Sequence, residues 1–254
     1  MFDTGGMSNL ARSDLSAAVP SALPPALREL AEKIRPVTWA QENRFTVEGQ
    51  LGELLGGGVQ AGSVLCCEGT GSSSLALSLA TQLAGDERWT AIVGLEEISP
   101  AAAIDMGLSP LRTAYVQATA RPADVVAALL GLVDVVVLDA RLDLRSTQIR
   151  RLQARLREKG SVLIVLQPDI FRSAGALTTR SSLANWSADI SFQTSGWQWE
   201  GIGKGHGYLQ VRRARLQSSG RRQANRLQKR IYELSEDARS FRFIEDASVI
   251  PLVR

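Results

Sequence analysis

From residue 56 to residue 166 the chain repeats one pattern. A short apolar, often β-branched run gives way to a small-residue or polar turn. A stretch with apolar positions three and four apart then follows. The runs 63–68, 89–95, 114–117, 133–139 and 161–166 read as strands, and the stretches 75–83, 100–106, 122–130 and 146–159 as helices. Val135, Val136, Val137 and Leu138 leave no polar face, which marks a strand covered on both sides. In 146–159, Ile149, Leu152 and Leu156 form an apolar stripe, while Arg150, Arg151, Arg155 and Arg157 fall on solvated faces. Gly107 and Gly160 stop their helices. Strand and helix alternating through short connections predict an α/β fold with a mostly parallel central sheet.

The flanks break this rhythm. Residues 1–24 are rich in Gly, Ser, Ala and Pro, bury little, and are expected to form a disordered N-terminal tail. In 25–55, Leu27, Leu30 and Ile34 predict a helix that starts after Pro24 and Pro25 and ends at Pro36, followed by a connector. Beyond 189 the runs 189–194, 197–201 and 207–213 read as antiparallel strands at the C-terminal side of the sheet. From Arg212 to Arg230 there is no acidic residue. Leu227, Ile231 and Leu234 predict a short amphipathic helix within this basic stretch, and Phe241, Phe243, Ile250 and Leu252 give the end an apolar character. The organisation expected is therefore a tail (1–24), a helix and connector (25–55), a core (56–215) and a basic, amphipathic C-terminal tail (216–254).

Composition adds exclusions. The 254 residues are 44% hydrophobic and 22% charged, with a net charge of +3, the mix of an ordinary globular protein. The two cysteines, Cys66 and Cys67, are adjacent and read as small buried strand residues, and His206 is the single histidine, so no metal site is expected. No run is long enough to span a bilayer, and the N-terminus lacks the apolar stretch of a signal peptide, so a cytoplasmic protein is expected.

The chemistry concentrates after the first strand of the core. Gly69, Thr70, Gly71, Ser72, Ser73 and Ser74 form a small-residue loop between strand and helix, the arrangement that cradles phosphate on backbone N–H groups. Aligned on the helix that follows, Cys66 stands at the first glycine of a phosphate loop and Gly71 at the second. Ser72 stands at the lysine and Ser73 at the magnesium hydroxyl. Losing the lysine removes a charge-assisted contact worth about 1.5–3 kcal/mol, roughly 10- to 150-fold in affinity. The alternative is a plain βα turn. Asp139, closing an apolar strand, has the form of a magnesium-shell carboxylate, or else caps a turn. Glu96 and Glu97 end the intervening strand, where a carboxylate could activate water, or else are solvated loop charges. Lys204 could return the missing charge from elsewhere in the fold, or remain a solvated loop residue.

Together these features resemble RecA: the degenerate loop, Ile92-Val93-Gly94-Leu95-Glu96, Met106-Gly107-Leu108, the strand to Asp139, and Val162 to Gln167, similar to the strand bearing RecA's nucleotide-sensing glutamine. The likeness covers about residues 56–213 and implies a RecA-like P-loop core. Within that superfamily the chain is most similar to ImuA-type proteins, in particular the actinobacterial ImuA-prime form. The degenerate loop, Trp197-Gln198-Trp199-Glu200-Gly201, the glycines from Gly203 to Gly207 and the short basic tail carry that likeness. The family's nucleotide roles pass to Gly71, Ser73, Glu96, Asp139 and Gln167 as positions only, because Ser72 breaks the catalytic set.

The resemblance implies a non-catalytic or weakly catalytic accessory protein of a DNA-damage-induced (SOS) translesion-synthesis mutasome. Its implied partners are an inactive Y-family polymerase-like protein and an error-prone replicative-type polymerase, with RecA and DNA as further candidates. No cofactor is required, and weak ATP with Mg²⁺ is the most the loop is expected to retain. Leu227, Ile231, Leu234, Phe241, Phe243, Ile250 and Leu252 are the expected docking residues, against the simpler reading that the end packs on the core. Arg212, Arg213, Arg215, Arg221 and Arg222 are the candidate DNA contacts, or a solvated surface. Two other functions compete. A DNA-stimulated RecA-like ATPase predicts Mg²⁺-dependent hydrolysis that requires Asp139, and a SulA-like division inhibitor predicts filamentation on overexpression.

Overall fold

A computed structural model describes residues 44–117, 120–168, 182–202, 207–220, 228–235 and 241–244. The chain opens with β1 (Arg44–Thr46), α1 (Gly49–Leu54) and β2 (Gly58–Gln60), with β1 and β2 paired antiparallel in a small sheet of their own. The main run follows as β3 (Val64–Gly69), α2 (Ser72–Ala84), β4 (Thr90–Val93), α3 (Pro100–Asp105), β5 (Thr113–Val116), α4 (Pro122–Leu129), β6 (Val135–Asp139), α5 (Ser146–Lys159) and β7 (Val162–Pro168). A 3-10 turn (Ser182–Asn185) leads to β8 (Ile190–Ile202), β9 (Gly207–Gly220), β10 (Gln228–Ser235) and β11 (Phe241–Ile244).

Among the described residues the large sheet has nine strands, in the order β11-β10-β9-β8-β3-β7-β6-β4-β5. From β8 to β5 every neighbouring pair is parallel, and from β8 to β11 every pair is antiparallel. Strands β3, β4, β6 and β7 are almost wholly buried, as their continuous apolar runs require when helices cover both faces. One face packs Leu65, Ile92, Val137 and Ile164 with the leucines of α2, Leu51 of α1 and Ala103 of α3. The other packs Cys66, Val93, Val136 and Leu163 with Val126 of α4, the Ile149, Leu152 and Leu156 stripe of α5, and Trp186. Leu75, Leu79 and Leu83 of α2 have no exposed surface, and each contributes about 1.5–3 kcal/mol through burial.

Several expectations need correction. The core begins before residue 56, because Phe45, Val47, Leu51 and Leu55 are buried in it and the Arg88 guanidinium lies 4.6 Å from the Phe45 ring centroid. The runs 189–194 and 197–201 are one strand, β8, interrupted by a register shift between Ser195 and Gln198. Its first half pairs parallel with β3, so the antiparallel portion starts one strand later than expected. The boundary at 215 falls inside β9, which runs on to Gly220. The amphipathic helix expected from Leu227, Ile231 and Leu234 is instead strand β10, paired with β9 over eight positions. Eight ladder pairs outweigh a weak helical spacing, and Ile231-Tyr232 favours a strand. The N-terminal helix on Leu27, Leu30 and Ile34 lies outside the described residues.

Candidate functional site

The site at which the phosphate loop should open is built from the ends of β3, β7 and β8. Gly69 closes β3 at φ 95°, and a Cβ there would sit 2.0 Å from the Thr194 carbonyl oxygen, so only glycine fits. The Thr194 hydroxyl donates to the Glu68 carbonyl at 3.1 Å and ties the loop's entry to β8. Gly71, at φ 80°, caps α2. The helix then starts at Ser72 rather than at residue 75, so Ser72, Ser73 and Ser74 are its first turn. Ser72 has no exposed surface, and its hydroxyl donates to the Gln167 carbonyl of β7 at 3.2 Å. The residue in the lysine position thus points into the sheet and fastens α2 to β7. Arg212 of β9 donates to the Ser74 hydroxyl at 3.3 Å, which places a cation beside that first turn from a distant strand.

The acidic side of the site is closed by an arginine. Asp139, 4% exposed at the end of β6, accepts from the backbone N–H of Arg141 at 2.7 Å. The Arg141 Nε donates to both carboxylate oxygens at 2.9 Å, and its Nη2 reaches Oδ2 at 2.5 Å and Glu97 Oε1 at 2.6 Å. One guanidinium therefore bridges two carboxylates, one at the end of β6 and one in the turn that follows the neighbouring β4. Its pKa is raised further, first by the hydrogen bond to Asp139. A magnesium ion needs open oxygen lone pairs in octahedral geometry. Arg141 already fills those of Asp139, so the residues present do not fit the ion. Among the described residues, no group of three or more His, Cys, Asp or Glu gathers where a metal could be held.

Glu96 stands apart from that pair. It lines an open cleft of about 710 Å³ with Gly94, Arg121, Asp124, Arg141 and Arg145. Arg121 pairs with Asp124 at 2.9 Å on the cleft's exposed rim. The cleft lies beyond the carboxyl ends of β4 and β6, between the starts of α4 and α5. The α3 connection leaving β4 and the α5 connection leaving β6 cover opposite faces, the switch-point position at which open α/β sheets take ligands. Sequence reasoning missed this cleft, although Gly94, at φ 74° directly after β4, is the available sign of a chain reversal there.

The remaining candidates separate. Arg212 and Arg213 are consecutive on β9 and leave on opposite faces, toward Ser74 and Glu200 respectively; Arg213 forms an ion pair with Glu200. Arg215 shares the Arg213 face by strand alternation. Of the expected arginine cluster, the three described members are therefore split across the sheet. Ile231 and Leu234 lie in β10 and Phe241 and Phe243 in β11, whereas Arg221, Arg222, Leu227, Ile250, Leu252, Lys204 and His206 lie outside the described residues. Gln167 is at the end of β7, directly opposite Glu68. Cys66 and Cys67 are free and buried, and burial pushes the Cys66 thiol from its ordinary 9.0 up to about 12. Arg150, Arg151, Arg155 and Arg157 are exposed on α5, as their spacing required. No helix among the described residues is long and apolar enough to cross a membrane.

Comparison with known proteins adds one likeness. No curated protein matches the chain. Residues 53–170, which run from α1 past the end of β7 and hold the loop, Asp139 and Arg141, match the family model of the MT3502 N-terminal domain.

Proposed function

We propose that this chain is a RecA-like accessory protein that binds a partner rather than turning over nucleotide. The observation that carries the reading is Ser72, buried where a phosphate loop holds its lysine and hydrogen-bonded to the Gln167 carbonyl. A lysine in that position meets the β and γ phosphates, whereas this serine serves the packing of α2 on β7. The RecA-like assignment draws support from sheet order: β3 leads into the loop, its neighbour β7 ends in Gln167, and β6 beyond it ends in Asp139. These are the landmarks by which the sequence resembles RecA.

The working context proposed is the DNA-damage-induced translesion mutasome. The partners would be an inactive Y-family polymerase-like protein and an error-prone replicative-type polymerase, as the likeness to ImuA-type proteins implies. The C-terminal strands support a docking role: β11, which carries Phe241 and Phe243, is the outermost strand of the described sheet, and addition of a partner's strand at such a place is a recurring mode of recognition. Two measurements test the reading. Copurification with the polymerase-like partner should be lost on deleting residues 236–254, which removes β11 and leaves the β9–β10 ladder. Undiminished binding would remove the docking assignment. Titration of Mg²⁺-ATP followed by a turnover assay, with and without single-stranded DNA, should show no hydrolysis. Turnover abolished by Asp139→Ala would replace the accessory reading with the ATPase one.

A further inference from the structure

We propose that Arg141 is a resident cation, standing on the Asp139–Glu97 carboxylate pair where a divalent metal would otherwise bind. This role belongs to the acidic side of the site alone and holds whether or not the chain docks a polymerase. Three observations carry it. Asp139 is 4% exposed, so its charge must be neutralised internally. The guanidinium spans two carboxylates, one closing β6 and one in the turn after β4, the bridging role an ion plays between oxygen ligands. The bridge is also anchored through the backbone. Ala140 donates its N–H to the Leu166 carbonyl at 2.8 Å, and Arg141 donates its own to Asp139, so the loop delivers the guanidinium to a fixed place.

Leu142 adds a steric restraint. A Cβ on Gly94 would meet the Leu142 side chain at 3.1 Å, so the residue after Arg141 packs closely on the chain leaving β4. The arginine is therefore held by its covalent neighbours, unlike a metal, which comes and goes with concentration. The site that the resemblance to RecA implies for Mg²⁺ is occupied here by the protein itself.

Thermal melting in EDTA and in millimolar Mn²⁺ tests this, using the full chain. The wild type should melt at the same temperature in both. Arg141→Ala leaves two carboxylates facing each other, one of them buried. It should melt about 5–10 °C lower in EDTA and recover about half of that loss at saturating Mn²⁺. Arg141→Lys, which keeps a charge at the position, should respond to Mn²⁺ far less than the alanine variant. The double variant Arg141→Ala/Asp139→Asn should fold and be indifferent to the metal. If Arg141→Ala does not fold in EDTA, refolding it in Mn²⁺ is the same test. Folding that depends on Mn²⁺ supports the proposal, and failure in both conditions while the double variant folds overturns it. So does stoichiometric Mn²⁺ binding by the wild type that Asp139→Asn abolishes, because the arginine would then not be in the metal's place.

Discussion

Placing a lysine at position 72 should damage the protein rather than create a nucleotide site. Ser72 has no exposed surface, and its hydroxyl donates to the Gln167 carbonyl at 3.2 Å. Ser72→Lys removes that bond, at about 1 kcal/mol. It also forces additional side-chain atoms into a filled space, at about 1–3 kcal/mol. The sum is about 2–4 kcal/mol before any cost of desolvating the ammonium. For a domain of this size each kcal/mol moves Tm by about 2–4 °C, so the melting temperature should fall by at least about 4 °C. Ser72→Ala loses the bond without overpacking and should fall by only about 2–4 °C. Circular dichroism melts of the three proteins, beside titration with a fluorescent ATP analogue, make the comparison. A lysine variant that melts with the wild type and binds ATP about 10- to 150-fold more tightly would refute the reasoning. It would mean that the loop still has an open phosphate cradle waiting for its charge.

Other consequences can be measured separately. Gly69→Ala places a Cβ 2.0 Å from the Thr194 carbonyl at a φ of 95°, so urea denaturation should show a loss of at least about 2 kcal/mol, and wild-type stability would contradict the clamp between β3 and β8. The Cys66 thiol, raised to about 12 in the fold, stays protonated where the unfolded chain's thiol, near 9.0, already ionises. Its contribution is fully present below pH 9 and declines by about 1.4 kcal/mol per pH unit as pH rises toward 12. At pH 8 neither cysteine should react with a thiol reagent until denaturant is added. If β9 binds nucleic acid through one face, Arg213→Ala and Arg215→Ala should each lower the salt dependence of single-stranded DNA binding by about 0.7 for every phosphate the arginine neutralises. Arg212→Ala should leave it unchanged, and an equal effect from all three would show that the strand does not divide them.

The parallel core is legible in the sequence because its residues admit one environment. A run such as Val135 to Leu138 has no polar side to show to water, and Ile149, Leu152 and Leu156 have no other face to share. The C-terminal strands are harder. Leu227, Ile231 and Leu234 match a helical spacing, and nothing local announces that β9 extends to Gly220 and offers a ladder to pair with. At the site, the residue types are legible and their partners are not. Asp139 reads either as a metal carboxylate or as a turn cap; that it caps the turn through the Arg141 N–H and also receives that arginine's guanidinium depends on the loop's course past Leu166. Ser72 reads as an absent lysine, whereas its hydrogen bond to β7 gives it a packing function of its own. Between two adjacent acids, Glu97 meets Arg141 and Glu96 lines the cleft, a distinction that requires the chain's path after β4.

The place of β3 in the sheet has a bearing on biosynthesis. It is the first strand of the large sheet to leave the ribosome, yet its neighbours are β7 and β8, and the carboxylate of Asp189 accepts from the Val64 N–H across 125 positions. At about 5–20 residues per second, the apolar stretch Val64–Cys67 waits several seconds or more before both its edges are paired. A fragment ending at residue 170 would keep β7 and lack β8, leaving one side of that stretch as an open edge. Such a fragment is expected to aggregate, and the nascent chain over that interval is where a chaperone has most to protect.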